Sequence, residues 1–174
     1  MSILSTTVTF LDMTAEPILR IPPPGRLKLM LARAERPEAG FYRYLSGAAG
    51  CALHWVDRNQ LSDADLAGII QDENVEIWVA YVNGQPGGWF EIDARRAPSE
   101  VELQYFGLLP AFRSLSLGKW LLAEAIRACW ARKPGRVIVQ TCTLDGPAAL
   151  PLYQKLGFVP YAREDRMVEV PDNS

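Results

Sequence analysis

Alternating apolar and polar residues predict two strands at the start of the chain. The alternation is imperfect over residues 5–13 and clear over 26–33, where the leucines share one face. Three consecutive prolines at 22–24 separate these segments and exclude both a helix and a central strand there. We therefore interpret residues 1–25 as an N-terminal strand followed by a rigid, proline-rich connector.

A second group of strands is predicted around one tight turn. Asn83 and Gly84 favour the positive φ values of a two-residue hairpin, so the strands on either side of them should pair. The chain is expected to finish in a polar tail over 168–174. Five segments have the length and composition of strands: 76–82, 86–93, 101–109, 136–144 and 159–170.

Helical spacing of apolar residues occurs in four further segments. Ser62 and Asp65 have the spacing of a capping arrangement, and Leu61 and Leu66 have that of a hydrophobic staple, so a helix should begin at Ser62. The longest helix carries apolar residues in two rows at i, i+4 spacing. The predicted helices cover 37–47, 62–73, 117–132 and 147–157, the last ending at a cap on Gly157.

The order of these elements fits one mixed α/β domain over residues 1–174, with a mixed, mostly antiparallel sheet flanked by helices. Eighteen Lys and Arg against twenty Asp and Glu provide no broad positive field for nucleic acid. Three cysteines and one histidine are too few for a zinc site. The apolar runs are too short to cross a bilayer. The odd cysteine count and the lack of a leader-like start favour a cytoplasmic protein.

The segment 105–126 carries the most chemical information. It consists of an apolar strand, a proline, a loop of small residues and the start of the longest helix. Such a unit directs backbone N–H groups and the positive end of a helix dipole at one point, which favours a phosphate or pyrophosphate. It lacks the motifs of a P-loop and of a dinucleotide-binding turn. By itself, the pattern fits a plain structural connector equally well.

Two motifs in this half of the chain resemble those of the GNAT superfamily of acyl-CoA-dependent N-acetyltransferases. In PAFRSLSLGKWLL, the positions of Arg113, Ser116 and Gly118 match the family's pyrophosphate loop. In LDGPAALPLYQKLGF, residues 149–158 match the family's A-x-x-L-Y-x-x-x-G-F helix. The resemblance covers roughly residues 76–160.

The resemblance implies a GNAT-like fold, acetyl-CoA as cofactor and direct transfer of its acetyl group to a primary amine in a ternary complex. It also implies that the central strands separate near Leu108 to admit the cofactor. In two places the sequence departs from the family: Ser114 and Ser116 stand where glycines are frequent, and Gly146 replaces an asparagine. The implied cofactor contacts are Gly107, Leu108, Leu109, Arg113, Ser114, Leu115, Ser116, Leu117, Gly118, Lys119, Asp145, Ala149 and Tyr153.

Acetyl transfer requires a base for the amine and an acid for the departing thiolate. Glu102 is the leading candidate base, with Glu91 on the neighbouring strand or a chain of water molecules as alternatives. Tyr153 is the candidate acid, because the resemblance places it near the sulfur and a tyrosine pKa near ~10 keeps it protonated at neutral pH. The alternative role of Tyr153 is that of a core aromatic. His54 is a weaker candidate, and a covalent route through Cys142 lacks a histidine at a suitable spacing.

Charge placement also suggests the acceptor. Glu91 and Asp93 share one face of a predicted strand, and Glu102 lies on the next strand. Carboxylates beside aromatic rings suit a cationic amine, so we predict a small amine such as an amino acid, a polyamine or an amino sugar. The alternative is that these acids form a solvated strand face. The aromatic candidates for this pocket are Trp55, Trp89 and Phe90.

A second class of function remains open from the sequence. The two serines in the loop are compatible with a non-catalytic acyl-CoA-binding or regulatory module of the same fold. A nucleotide-binding domain unrelated to CoA would require both motif matches to be accidental. The N-terminal strand and the connector are candidates either for packing within the domain or for a homodimer contact.

Overall fold

The structure is a computed structural model that describes residues 1–49 and 56–170. Within that part of the chain, seven strands form one sheet in the order β2-β3-β4-β5-β6-β1-β7. The strands are β1 (Ser2–Met13), β2 (Leu29–Arg33), β3 (Val75–Val82), β4 (Gln85–Asp93), β5 (Glu100–Leu108), β6 (Arg136–Cys142) and β7 (Val159–Val170). The helices are α1 (Ala39–Ala48), α2 (Val56–Asn59), α3 (Asp63–Ile70), α4 (Leu117–Trp130) and α5 (Ala149–Lys155), with a 3-10 helix at Pro110–Phe112.

The sheet is mixed and mostly antiparallel, which confirms the predicted fold class. Among the neighbouring strands of the described ranges, only β5 and β6 run parallel to each other. At the predicted hairpin, Asn83 and Gly84 have φ values of 51° and 85°, and β3 and β4 pair directly on either side of them. None of the helices in the described ranges is long and apolar enough to span a membrane.

The first strand of the sequence lies deep in the last part of the sheet. Val8–Met13 of β1 pair with β6, and almost the whole of β1 pairs with β7. Strand β7 ends at Val170, as predicted for the strand, so the polar tail predicted over 168–174 is wrong for residues 168–170, which pair with β1. The N-terminal segment is thus a structural member of the sheet.

The proline-rich connector runs from β1 to β2 at the opposite edge of the sheet. Leu19 and Ile21 of this connector pack against the hydrophobic core, and the Arg127 Nη2 donates a hydrogen bond to the Leu19 carbonyl at 3.0 Å. These contacts support the prediction that the connector packs within the domain.

Two hydrophobic clusters cover opposite faces of the sheet. Helices α4 and α5 pack on one face, and α1 and α3 pack on the other. The consecutive residues Trp89 and Phe90 belong to different clusters, as expected for successive residues of a strand. Helix α3 begins as predicted, because the Ser62 side chain accepts a hydrogen bond from the Asp65 N–H at 3.1 Å.

Candidate active site

A cavity opens where the two central parallel strands separate. Strands β5 and β6 pair only from Glu100–Arg136 to Leu103–Val139, although β5 continues to Leu108 and β6 to Cys142. The separation therefore begins after Leu103, earlier than the expected position near Leu108. The cavity has a volume of about 930 Å³.

Seven of the predicted cofactor residues line this cavity. They come from the separated part of β5, the loop that follows it, the first turn of α4, and the region of α5. They are Gly107, Leu108, Arg113, Gly118, Asp145, Ala149 and Tyr153. The structure thus brings together residues from both motifs.

The other six do not line the cavity. Leu109 and Leu117 are buried in the two hydrophobic clusters, because their apolar side chains turn into the protein. Any contact with a cofactor at these two positions would have to use the backbone. The remaining four residues lie in the loop or at the start of α4 without bordering the cavity: Ser114, Leu115, Ser116 and Lys119.

The loop keeps a glycine-like backbone at one of its serines. Ser116, just before α4, has φ 57° and ψ 23°, the left-handed conformation that glycine adopts most readily. A Cβ added at Gly118 would lie 3.4 Å from the Leu108 Cδ1 and 3.9 Å from the Leu152 Cδ2. Because Leu108 and Leu152 also line the cavity, the missing side chain of Gly118 leaves the first turn of α4 open toward it.

Arg113 has a contact that the sequence did not indicate. Its Nη2 donates a hydrogen bond to the Ala49 carbonyl at 2.6 Å. This contact joins the loop before α4 to the residue that follows α1. Because the guanidinium has five N–H donors, the Ala49 contact leaves others for a ligand.

Glu102 lies at the edge of the cavity, just before the strands separate. Its side chain is mostly buried, and its carboxylate is held from two sides. The Gln140 Nε2 donates to Oε1 at 3.2 Å, and the Arg96 Nη2 donates to Oε2 at 3.2 Å. Burial raises the pKa of Glu102 above the ordinary glutamate value, while Arg96 acts in the opposite direction.

Tyr153 lies on α5 and borders the same cavity. Its ring packs edge-on against Phe106 at 6.4 Å and against Phe158 at 5.8 Å between ring centroids. The residue therefore combines the two roles considered from the sequence: the ring belongs to the core, and the side chain also contributes to the cavity wall.

Glu91 lies in a different environment. Its side chain is fully buried, at 0% exposure, and does not line the cavity. Its Oε2 accepts a hydrogen bond from the Tyr42 hydroxyl at 2.6 Å, and its Oε1 accepts one from the Arg58 Nη2 at 2.8 Å. A general base must reach the proton that it removes, and in this structure Glu91 has no access to the cavity.

Of the residues predicted for the acceptor pocket, the structure brings Glu102 to the cavity but not Asp93, Trp89 or Phe90. The Asp93 carboxylate is held by the Arg95 side chain at 2.8 and 3.0 Å and does not border the cavity. Although burial opposes the effect, the hydrogen bonds and charge of Arg95 lower the pKa of Asp93. Trp89 and Phe90 are fully buried in the core. The alternative of a solvated face does not describe Glu91 or Glu102, since both side chains are buried. His54 and Trp55 lie outside the described residues.

The end of β6 forms another wall of the cavity. The Asp145 Oδ2 accepts hydrogen bonds from the Thr141 Oγ1 at 2.6 Å and from the Cys142 N–H at 3.0 Å. Asp145 therefore fixes the turn after β6 through this oxygen while bordering the cavity.

The walls supplied by β6, β1 and β7 were not among the residues predicted from the sequence. Gln140 of β6, Thr6 and Val8 of β1, and residues 166–169 of β7 all line the cavity. No local pattern marks these residues, because their place depends on β1 pairing between two strands near the other end of the chain.

The sequence model of the acetyltransferase (GNAT) family matches residues 34–158, which include both motifs. Comparison with curated protein sequences gives no match.

Solved structures show the same fold. A GNAT-family acetyltransferase from Novosphingobium aromaticivorans has a TM-score of 0.64 and 14% identity, over 95% of this chain and 64% of that one. A GCN5-related N-acetyltransferase from Kribbella flavida has a TM-score of 0.63 and 16% identity, over 96% of this chain and 59% of that one. An aminoglycoside acetyltransferase from an uncultured soil metagenomic sample has a TM-score of 0.57 and 20% identity, over 75% of this chain and 91% of that one. This chain thus spans less than two thirds of the length of the first two proteins.

Proposed function

The chain belongs to the acetyltransferase (GNAT) family, and we propose that it transfers the acetyl group of acetyl-CoA to the amine of a small cationic molecule. The observation that carries the proposal is the meeting of Glu102, Tyr153 and the first turn of α4 at one cavity between the separating strands. This arrangement places a candidate base, a candidate acid and a candidate anion site around one space.

The residues around the cavity fit acetyl-CoA. The first turn of α4 has backbone N–H groups without partners inside the helix, and Arg113 adds a positive charge beside them. The missing side chain at Gly118 gives a pyrophosphate access to these donors. Beyond Leu103, β5 no longer pairs with β6, so its backbone at Gly107 and Leu108 is free on that side to align the pantetheine arm like an added strand.

Acetyl-CoA, when bound, supplies a thioester whose carbonyl carbon the amine attacks. Glu102 accepts the proton that the ammonium must lose, and its raised pKa makes it a better base near neutral pH than an ordinary glutamate. Tyr153 donates its phenolic proton to the departing thiolate. Backbone donors near Leu108 polarise the carbonyl.

The acceptor class rests on the charge of Glu102 at the cavity. A carboxylate in a partly buried cleft attracts a cation and disfavours an anion. We therefore propose small amines, such as amino acids, polyamines and amino sugars, in preference to anionic acceptors.

Two measurements test the proposal together. Isothermal titration with acetyl-CoA should give saturable binding, and thiol release with a panel of amines should show turnover with small cationic acceptors. Replacement of Glu102 by Gln should lower kcat/KM by about 10²–10⁴-fold. The matched control is Glu124→Gln, since Glu124 pairs with Arg127 on α4 away from the cavity and should retain wild-type turnover.

The outcomes separate the alternatives. Binding of acetyl-CoA without turnover of any amine would favour the non-catalytic acyl-CoA-binding module. Turnover confined to anionic acceptors would refute the proposed acceptor class. Unchanged turnover in Glu102→Gln would refute its role as the base.

The cofactor site has its own test. Gly118→Pro removes one backbone donor from the first turn of α4, where that N–H has no partner inside the helix, whereas Gly118→Ala keeps the donor. We expect the proline variant to lose most of its affinity for CoA and the alanine variant to lose much less. Equal affinities in the two variants would show that this donor does not bind the cofactor.

A further inference from the structure

Gln140 connects the two strands at the point where they stop pairing. The last pair between β5 and β6 is Leu103 with Val139, and Gln140 is the next residue of β6. Two residues before Gln140, Ile138 pairs with Glu102, so Gln140 and Glu102 project from the same face of the sheet. The Gln140 Nε2 then donates to the Glu102 Oε1 at 3.2 Å.

The backbone of Gln140 is fixed independently of Glu102. Gln140 pairs with Phe10 of β1, within the antiparallel ladder between β1 and β6. The amide therefore reaches Glu102 from a strand that is held on its other side, and both residues border the cavity.

The second partner of Glu102 is less firmly committed to it. The Arg96 side chain is 53% exposed and is shared with Glu100, which it approaches to 2.5 Å. An ion pair with an exposed arginine is weakened by salt. Gln140 is also exposed on β6, but its hydrogen bond to Glu102 joins a neutral amide to the carboxylate and crosses from β6 to β5.

We propose that Gln140 is a positioning residue that holds the carboxylate of Glu102 at the edge of the cavity, in the orientation in which it accepts a proton from the acceptor amine. This inference rests on the proposed function, because Gln140 acts only through Glu102 and Glu102 is the proposed base. The candidate base is then supported from both separating strands, its backbone by β5 and its carboxylate by β6.

The charged groups around Glu102 determine how its pKa would respond to the loss of the Gln140 hydrogen bond. Arg96, from the loop after β4, lowers the pKa of Glu102, whereas burial and the carboxylates of Asp93 and Glu100 raise it. Arg136 on β6 faces this group only through Glu100, which it contacts at 2.7 Å. The Gln140 hydrogen bond stabilises the ionised form of Glu102 and therefore also lowers its pKa.

The experiment compares Gln140→Met with the wild type in the full chain. Glutamate labelled with ¹³C at the carboxyl carbon reports the pKa of Glu102, which is assigned by the signal lost in Glu102→Gln. We expect the pKa in Gln140→Met to rise by about one pH unit, the loss expected for one hydrogen bond to a charged group. The acid limb of kcat/KM against pH should move by the same amount, and kcat should fall by about 10-fold while the KM for acetyl-CoA is unchanged.

Two further variants make the result specific. Gln104→Met changes another glutamine that borders the cavity but has no hydrogen bond to Glu102, so the pKa of Glu102 should stay at its wild-type value. Gln140→Glu places a second carboxylate beside Glu102 and should move the acid limb further toward neutral pH than Gln140→Met does.

The inference fails if the pKa of Glu102 and the acid limb in Gln140→Met both equal those of the wild type. A pKa that rises without movement of the acid limb would confirm the contact but remove Glu102 from the chemistry, which overturns the proposed base and the positioning role together. An equal rise in the pKa of Glu102 and in the pH of the acid limb supports both the proposed base and the positioning role of Gln140.

Discussion

Two pairs of residues, each a glutamate and a tyrosine, lie in very different regions of this molecule. Glu91 and Tyr42 bond to each other beneath the helices of one sheet face, with no exposure of the carboxylate. Glu102 and Tyr153 border the cavity between the separating strands. Both glutamates lie on central strands of the same sheet.

Their arginine partners show why the pairs differ. The Arg58 side chain beside Glu91 is only 9% exposed, whereas the Arg96 side chain beside Glu102 is 53% exposed. Strand β4 is paired along both edges, and Glu91 has no open space beside it, while β5 loses its neighbour on one side just after Glu102. The point at which the ladder between β5 and β6 ends, and not the residue type, therefore determines which carboxylate is available for chemistry.

The largest effect that this comparison predicts is on stability. Glu91→Gln leaves the buried Arg58 guanidinium without a counter-charge, so the free energy of unfolding should fall by about 3–5 kcal/mol. Urea unfolding followed by circular dichroism measures this loss. Glu102→Gln is the counterpart and should lose less stability than Glu91→Gln, because its partner Arg96 is 53% exposed and stays solvated when the carboxylate charge is removed. Equal losses in the two variants would contradict the distinction between the two regions.

The next effect concerns the hydroxyl of the tyrosine at the cavity. Tyr153→Phe keeps the ring that packs on Phe106 and Phe158 and removes the proposed proton donor. Turnover should fall by about 10–10³-fold with little change in affinity for CoA. Steady-state kinetics under conditions where chemistry limits the rate, together with calorimetry, provide the measurement. Wild-type turnover would leave Tyr153 with only its packing role.

The matching change at the buried pair should affect only stability. Tyr42→Phe removes the hydroxyl that donates to Glu91 at 2.6 Å, and we expect a loss of about 1–3 kcal/mol in the free energy of unfolding. Below its melting temperature the variant should retain wild-type kcat/KM. A large loss of kcat/KM in the folded variant would show that the buried pair also serves the cavity.

The smallest effect is a shift in pH dependence. Glu102 accepts a proton only when it is ionised, so kcat/KM should fall as the pH decreases through its pKa. Because burial raises that pKa, the acid limb should lie above the ordinary glutamate value of about 4.5. The limb should disappear in Glu102→Gln and persist in Glu91→Gln. If the acid limb of kcat/KM disappeared in Glu91→Gln and persisted in Glu102→Gln, Glu91 and not Glu102 would be the base.

Elements with local causes were predictable from the sequence. The turn at Asn83 and Gly84 needs only two residues that tolerate positive φ, and the start of α3 needs only the Ser62 side chain and the Asp65 N–H. The two motifs around the cavity were likewise readable, because each is a short contiguous stretch. That the two motifs meet at one cavity was implied by the resemblance to the GNAT superfamily.

Long-range contacts explain what the sequence analysis did not predict. Glu91 and Asp93 share a strand face, as the alternation indicated, but the partners that remove them from the cavity are Arg58 and Arg95. No element was predicted for the segment between 47 and 62 that carries Arg58. Nothing local distinguishes a strand carboxylate at an opening from one beneath a helix, since the difference depends on where the ladder between β5 and β6 ends.

The position of β1 between β6 and β7 also bears on how the chain is made. Met13 pairs with Val137, so at about 5–20 residues per second synthesis separates these partners by roughly 6 to 25 s. During that interval β1 has left the ribosome before either neighbouring strand is complete. Its backbone donors and acceptors are then open to pairing with another chain. In the nascent protein, β1 is therefore open to a chaperone, or to a second copy still being synthesised nearby, until β6 and β7 have been made.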